Sequence, residues 1–227
     1  MKTEIIDYRK LNLQSLDLLG CSGNEDLSKK IQWLQRMRGI QRPAADLSHE
    51  AALVTMLAEK AFMLDAPEDP DGLYVTETTT LNKWCGKSGL QVNGFSEWLK
   101  NYNGKVFVRK VDFQRTEDFN RELIRFIFSH LRDPNAQKYE SGIPGMLELF
   151  LCELGIKKSI LETAKLHCTE WIAELLKQFK LLADVISNNR MPPCSWWNEV
   201  CKKNGKCRPS LLDRDILVPI SEPIRIK

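Results

Sequence analysis

TTTLNKWCGKSGLQVNGFSEWLKNYNGKVFVRKVDF, residues 78–113, is the stretch on which the fold turns. Trp84 and the small Cys85 suit a first helix, Gly89 follows four residues later as a turn, and Leu90, Phe95 and Trp98 fall at the intervals of a second helix. Gly94 then lies inside that second helix, at a cost of roughly 1 kcal/mol relative to Ala. NGKVFVRKVDF changes to β-branched and aromatic residues and predicts a strand over 105–113, with a bulge or an end at Lys110.

Upstream, NEDLSKKIQWLQRMRG (24–39) has Leu27, Ile31, Leu34 and Met37 at helical spacing, with Glu25 and Asp26 in the first turn. A second helix is expected over 47–64, from the stripe of Ala51, Val54, Leu57, Ala58, Ala61 and Phe62. APEDPDG (66–72) is a turn segment, and LYVTET (73–78) a short strand. Downstream, Thr116 caps an amphipathic helix that Pro134 closes, and a buried helix is expected at 145–154. Ser159 and Glu162 have capping-box spacing. They open a predicted helix over 160–187, with Cys168, Trp171, Leu175, Phe179 and Leu182 on one face, which would span on the order of 40 Å. These elements predict a mainly α chain with a small β component, an α+β fold.

The 227 residues carry 33 Lys+Arg and 30 Asp+Glu, a formal charge of +3, with 43% hydrophobic residues. That composition excludes collagen-like and fully disordered chains. The sum hides segregation. Residues 46–78 net −7, residues 79–115 net +5 and residues 190–208 net +4. Basic blocks that also hold polar and aromatic side chains are what phosphate-backbone binding requires. No stretch reaches the ~18 apolar residues of a membrane span, and the N-terminus lacks the pattern of a signal peptide. The expectation is a cytoplasmic protein with reduced thiols.

The 46–113 region resembles winged helix-turn-helix DNA-binding domains. Cys85 would permit close helix approach, Gly89 would make the turn, and NGKVFVRKVDF is similar to the wing hairpin. The resemblance implies DNA contacts from Lys87, Gln91, Asn93, Ser96, Lys100 and Asn101, with Lys105 and Arg109 on phosphates. The chain divides accordingly into an N-terminal helical segment (1–45), a winged-helix-like unit (46–115), a helical bundle part (116–190) and a Cys- and Trp-containing tail (191–227).

PPCSWWNEVCKKNGKCRP (192–209) gathers Cys194, Cys201 and Cys207. Three thiolates could fill three positions of a tetrahedral zinc, with His167, Cys168 or His130 as the fourth, and KNGK could turn Cys201 toward Cys207. An iron–sulfur site and free loop cysteines are the alternatives. No GxSxG, P-loop or HExxH pattern occurs. The reading that these features favour is a non-enzymatic nucleic-acid-binding regulator, or a subunit of a nucleic-acid-handling complex. A structural or adaptor protein that docks a partner or a second copy through helix 160–187 is the alternative. A third reading comes from Arg125 and His130, whose Arg-x4-His spacing resembles the active-site pair of HEPN ribonucleases, with Arg42 and His49 in RPAADLSH a looser second instance, although five helical residues put Arg125 and His130 about 140° apart.

Overall fold

HEAALVT, which the sequence pattern places in a helix, is the central strand of a six-stranded antiparallel sheet. A computed structural model describes residues 4–37, 39–56, 60, 64, 66–79, 86, 88–133, 168–183, 196–197, 199–201 and 205–227. The strands are β1 (Leu18–Gly23), β2 (His49–Thr55), β3 (Leu73–Thr79), β4 (Gly89–Gly94), β5 (Gly104–Arg109) and, near the C-terminus, β8 (Ile224–Arg225). Their order is β4-β3-β2-β1-β5-β8. A separate hairpin pairs β6 (Glu199–Cys201) with β7 (Cys207–Pro209). The described helices are α1 (Asp26–Met37), α2 (Phe95–Asn101), α3 (Glu117–Leu131), α4 (Cys168–Gln178) and α5 (Leu211–Asp215).

Side chains that alternate along the strands feed two cores. Leu18, Ala52, Val54, Tyr74 and Val92 pack with Trp171, Ile172, Leu175 and Leu176 of α4, Leu123 and Ile127 of α3, and Trp196. Leu19, Cys21, Ala51, Leu53, Val75, Val106 and Val108 pack with Phe95, Trp98 and Leu99 of α2. Because both faces are covered, a central strand needs apolar residues at successive positions and loses the alternation of a half-exposed one. That is why β2 imitates a helix in sequence. It also overturns the mainly α expectation, since the organising element is a sheet with helices on both faces.

The winged-helix expectation fails at the same level. Residues 89–94, assigned to a turn and a recognition helix, form β4 against β3 in the register Glu77↔Gln91 and Val75↔Asn93. Gly94, costly as a helix-interior residue, is the residue before α2. The first helix of the supposed motif, residues 80–85, and Lys87 lie outside the described residues, as do the expected helix at 145–154 and the Ser159–Glu162 box.

Other elements follow their sequence signals. Thr116 accepts a hydrogen bond from the Phe119 amide and opens α3, α1 covers the predicted amphipathic stretch, and LYVTET and KVFVR are strands. The helix expected over 160–187 is described only as α4, and it stops at Gln178. Lys180 adopts φ 57°, while the Leu181 amide donates to the Leu176 carbonyl and the Lys180 amide to the Lys177 carbonyl. This is a Schellman stop made without glycine. Beyond it, Leu182 bridges to Ile216. Residues 160–167 and 184–187 lie outside the described residues.

Candidate active site

At one end of the sheet β2 and β3 carry their chains beyond their shared pairing. Their register runs from Thr55↔Leu73 to Ala52↔Thr76, while β2 extends back to His49 and β3 on to Thr79. His49 and Glu77 lie on these extensions, on the face that α2 covers. His49 Nε2 stands 2.6 Å from Glu77 Oε2. The other carboxylate oxygen of Glu77 accepts from Trp98 Nε1 at 3.0 Å and from Gln91 Nε2 at 3.2 Å. Each of these side chains is buried. A carboxylate so far from water is tolerated because three donors converge on it.

The thiol of Cys168, the first residue of α4, acts on the His49 ring. α4 lies across β2 and β3 on the opposite face, with Trp171 Nε1 donating to Thr76 Oγ1 at 3.0 Å. That bond fixes the helix to β3 one turn beyond Cys168. With Nε2 of His49 facing Glu77, Nδ1 is the ring nitrogen that Glu77 does not occupy. Burial disfavours a charged imidazole here, but the Cys168 thiol and the Glu77 carboxylate outweigh it and push His49 up to about 10. The ring therefore carries a proton at neutral pH, between a sulfur and an anchored carboxylate. Cys21, His49's partner across β1, behaves differently. Burial pushes its thiol well up, and Glu77 and Cys168 add to the effect. Cys21 is fully enclosed, whereas Cys168 keeps 6% of its surface.

Thiol, imidazole and carboxylate in that sequence of contacts constitute the constellation of nucleophilic catalysis by cysteine. The sequence pattern instead offers Cys168 as a fourth zinc ligand or as one residue of an apolar helix face, and it predicts a helix at His49. The available signal was a lone cysteine opening an amphipathic helix in a chain with three histidines.

The residues read as a nucleic-acid surface are dispersed. Gln91 and Asn93 are buried in β4, and Gln91 serves Glu77. The Ser96 amide and hydroxyl both donate to Asp69 Oδ2, and Asn101 turns back on Glu97. Arg109 is 1% exposed. Its guanidinium donates to both oxygens of Asp213 and to the carbonyls of Trp196 and Ser221, which ties the C-terminal segments to β5. Lys100 and Lys105 are exposed, and Lys87 lies outside the described residues. A DNA-reading helix is thus replaced by a buried strand and a structural arginine.

The hairpin does bring Cys201 and Cys207 together, as a disulfide. These two thiols depart from the reduced state expected of them, whereas Cys21 and Cys168 are free thiols, and the hairpin sulfurs are spent on each other rather than on zinc. Cys194 lies outside the described residues. Among the described residues, no group of three or more His, Cys, Asp or Glu side chains is placed to hold a metal, and no helix is long and apolar enough to cross a membrane. His130 Nδ1 lies 2.9 Å from the Phe126 carbonyl and Nε2 3.2 Å from Glu174, while Arg125 is exposed on α3. Trp171, on the apolar face of the helix predicted over 160–187, is fully buried in this chain's own core.

No protein-family model matches the chain, and no curated protein does. Among solved structures, it is similar to the crystal structure of the metalloprotein yiiX from Escherichia coli O157:H7, at 14% sequence identity and a TM-score of 0.47, over 92% of this chain and 96% of that one. A likeness of that degree carries nothing about metal or reaction to this chain.

Proposed function

We propose that the chain is an acyl-transfer enzyme of the cysteine-nucleophile type, acting on an amide, ester or thioester. The observation that carries the reading is His49, buried between the Cys168 thiol and a Glu77 carboxylate that three donors hold in place. Cys168 Sγ attacks the carbonyl carbon and forms a C–S bond. The proton held on His49 passes to the leaving nitrogen, oxygen or sulfur as its bond to the carbonyl carbon breaks. An incoming water or other acceptor then gives its proton to His49 and displaces the sulfur, which leaves His49 protonated beside the freed sulfur as at the start. Glu77 fixes the ring and stabilises the imidazolium, the division of labour known for triads in general.

The test is selective alkylation. Iodoacetamide at one equivalent, followed by peptide mapping, should modify Cys168 ahead of the other free thiols, and His49→Ala should remove that preference. Equal reactivity of Cys168 and an unstructured cysteine peptide would refute the reading.

A further inference from the structure

On the sheet face that α4 covers, beside Cys168, three buried acceptor oxygens stand unused. Both carboxylate oxygens of Glu50 and the Thr78 hydroxyl have no hydrogen-bond partner among the described residues. Glu50 is 1% exposed and Thr78 is fully buried. Glu50 follows His49 on β2 and points to the opposite face, and Thr78 follows Glu77 on β3, two residues beyond the Thr76 that anchors Trp171. Both sit where β2 and β3 have left their shared register. Glu50 pairs with Gly20 across β1. Over Gly20 lies the Trp196 ring, so close that an added Cβ would meet it at 2.4 Å. The indole Nε1 of Trp196 is likewise buried without a partner.

Native proteins rarely leave a buried carboxyl unpartnered, because its desolvation is then uncompensated. Burial pushes the Glu50 carboxyl well above its usual range, Cys168 adds to the rise, and His49 pulls against it. Glu50 is the next residue to His49 on β2 and faces the side of the sheet that α4 crosses. A cation seated against it would make ionisation and burial compatible.

We infer that Glu50, Thr78 and Trp196 form a subsite that binds a primary ammonium group of the substrate beside Cys168. The count of donors selects this group. An ammonium has three N–H donors, matching two Glu50 oxygens and one Thr78 oxygen. The Trp196 N–H is a donor in turn and suits a carbonyl oxygen near the ammonium. Ammonium with a nearby carbonyl is the pattern of an α-aminoacyl group, so the substrate class is an aminoacyl amide or ester, including a peptide N-terminus. The inference rests on Cys168 being the nucleophile.

Methanethiosulfonates separate the two claims on the full-length protein at pH 7, with modification mapped to Cys168. The methyl reagent tests the thiol alone. The 2-aminoethyl, 2-(trimethylammonium)ethyl and 2-sulfonatoethyl reagents test the subsite. In the wild type the aminoethyl reagent should react fastest, ahead of the trimethylammonium reagent, which has no N–H. Glu50→Gln should lower the aminoethyl-to-methyl rate ratio about tenfold, as loss of a facing charge does. An unchanged ratio overturns the subsite and leaves the nucleophile standing. Failure of the methyl reagent to modify wild-type Cys168 overturns both. Should Glu50→Gln not fold, protection of wild-type Cys168 from the methyl reagent by ethylammonium, and not by tetraethylammonium, decides the question. Equal protection by the two, or none, counts against the subsite.

Discussion

Replacing Glu77 with Gln changes one atom at the centre of the proposed site, and the structure dictates how the amide must sit. Oε1 accepts from two donors, Trp98 Nε1 at 3.0 Å and Gln91 Nε2 at 3.2 Å, while Oε2 faces His49 Nε2 at 2.6 Å. If the amide oxygen turned toward His49, its NH2 would meet two donors. The favoured orientation therefore keeps oxygen toward Trp98 and Gln91 and presents NH2 to His49. Nε2 must then accept, which leaves a neutral ring with its proton on Nδ1. That tautomer cannot take a proton from Cys168. An ordinary thiol of pKa about 8.5 is only about 0.3% ionised at pH 6. Iodoacetamide modification of Cys168 at pH 6 should therefore slow on the order of 10²-fold in Glu77→Gln. Loss of the charge-assisted bond should also cost about 1.5–3 kcal/mol of stability. Pseudo-first-order alkylation rates between pH 5 and 9, with urea titrations on the same samples, supply both numbers. A folded variant with the wild-type rate and pH profile would refute the role given to Glu77.

Four further outcomes follow from single features. Asp213→Ala leaves the buried Arg109 guanidinium without its carboxylate and should cost about 3–5 kcal/mol in a denaturant titration. Gly20→Ala drives a methyl into the Trp196 ring and should destabilise by about 1–3 kcal/mol. His49, raised to about 10, keeps in the folded state a proton that the unfolded chain releases above about pH 6.5. Its contribution to stability is complete below that pH and disappears as pH rises through about 10, so the unfolding midpoint should fall across this window in wild type and fall less in His49→Gln. Cys201 and Cys207 close a loop at a sequence separation of 6. Changing both to Ser should cost roughly 2 kcal/mol and leave the alkylation rate of Cys168 where it was.

What the sequence disclosed depended on how local each signal was. α1 and α3 were legible because a half-exposed helix must repeat its apolar residues at helical spacing, and Thr116 marks the start of α3 by its own side chain. β3 and β5 were legible through runs of β-branched and aromatic residues. β2 was not, because a strand buried on both faces keeps no alternation, and Ala51, Val54, Leu57 and Ala58 satisfy a helical stripe equally well. β4 was hidden by its polar residues. Gln91 and Asn93 suggest a solvent-facing surface, whereas Gln91 is buried in order to satisfy another buried polar group, Glu77. The end of α4 was missed because its αL residue is Lys180 rather than glycine. The candidate site was the least legible part. Its residues lie on β2, β3 and α4, and only the pairing of the strands and the packing of the helix bring them together. The segregation of charge was real in sequence, but Arg109 shows that a base in a basic block can be a buried tie.

In the proposed reaction Cys168 becomes acylated, and p-nitrophenyl acetate reports that step without intermediaries. Mixing the protein with excess ester should release a burst of p-nitrophenolate of about one equivalent per chain, as expected when an acyl-enzyme accumulates. One acetyl group should map to the Cys168 peptide, and both signals should vanish in Cys168→Ser. Acetylation spread over lysines and other cysteines, with no burst, would contradict the account.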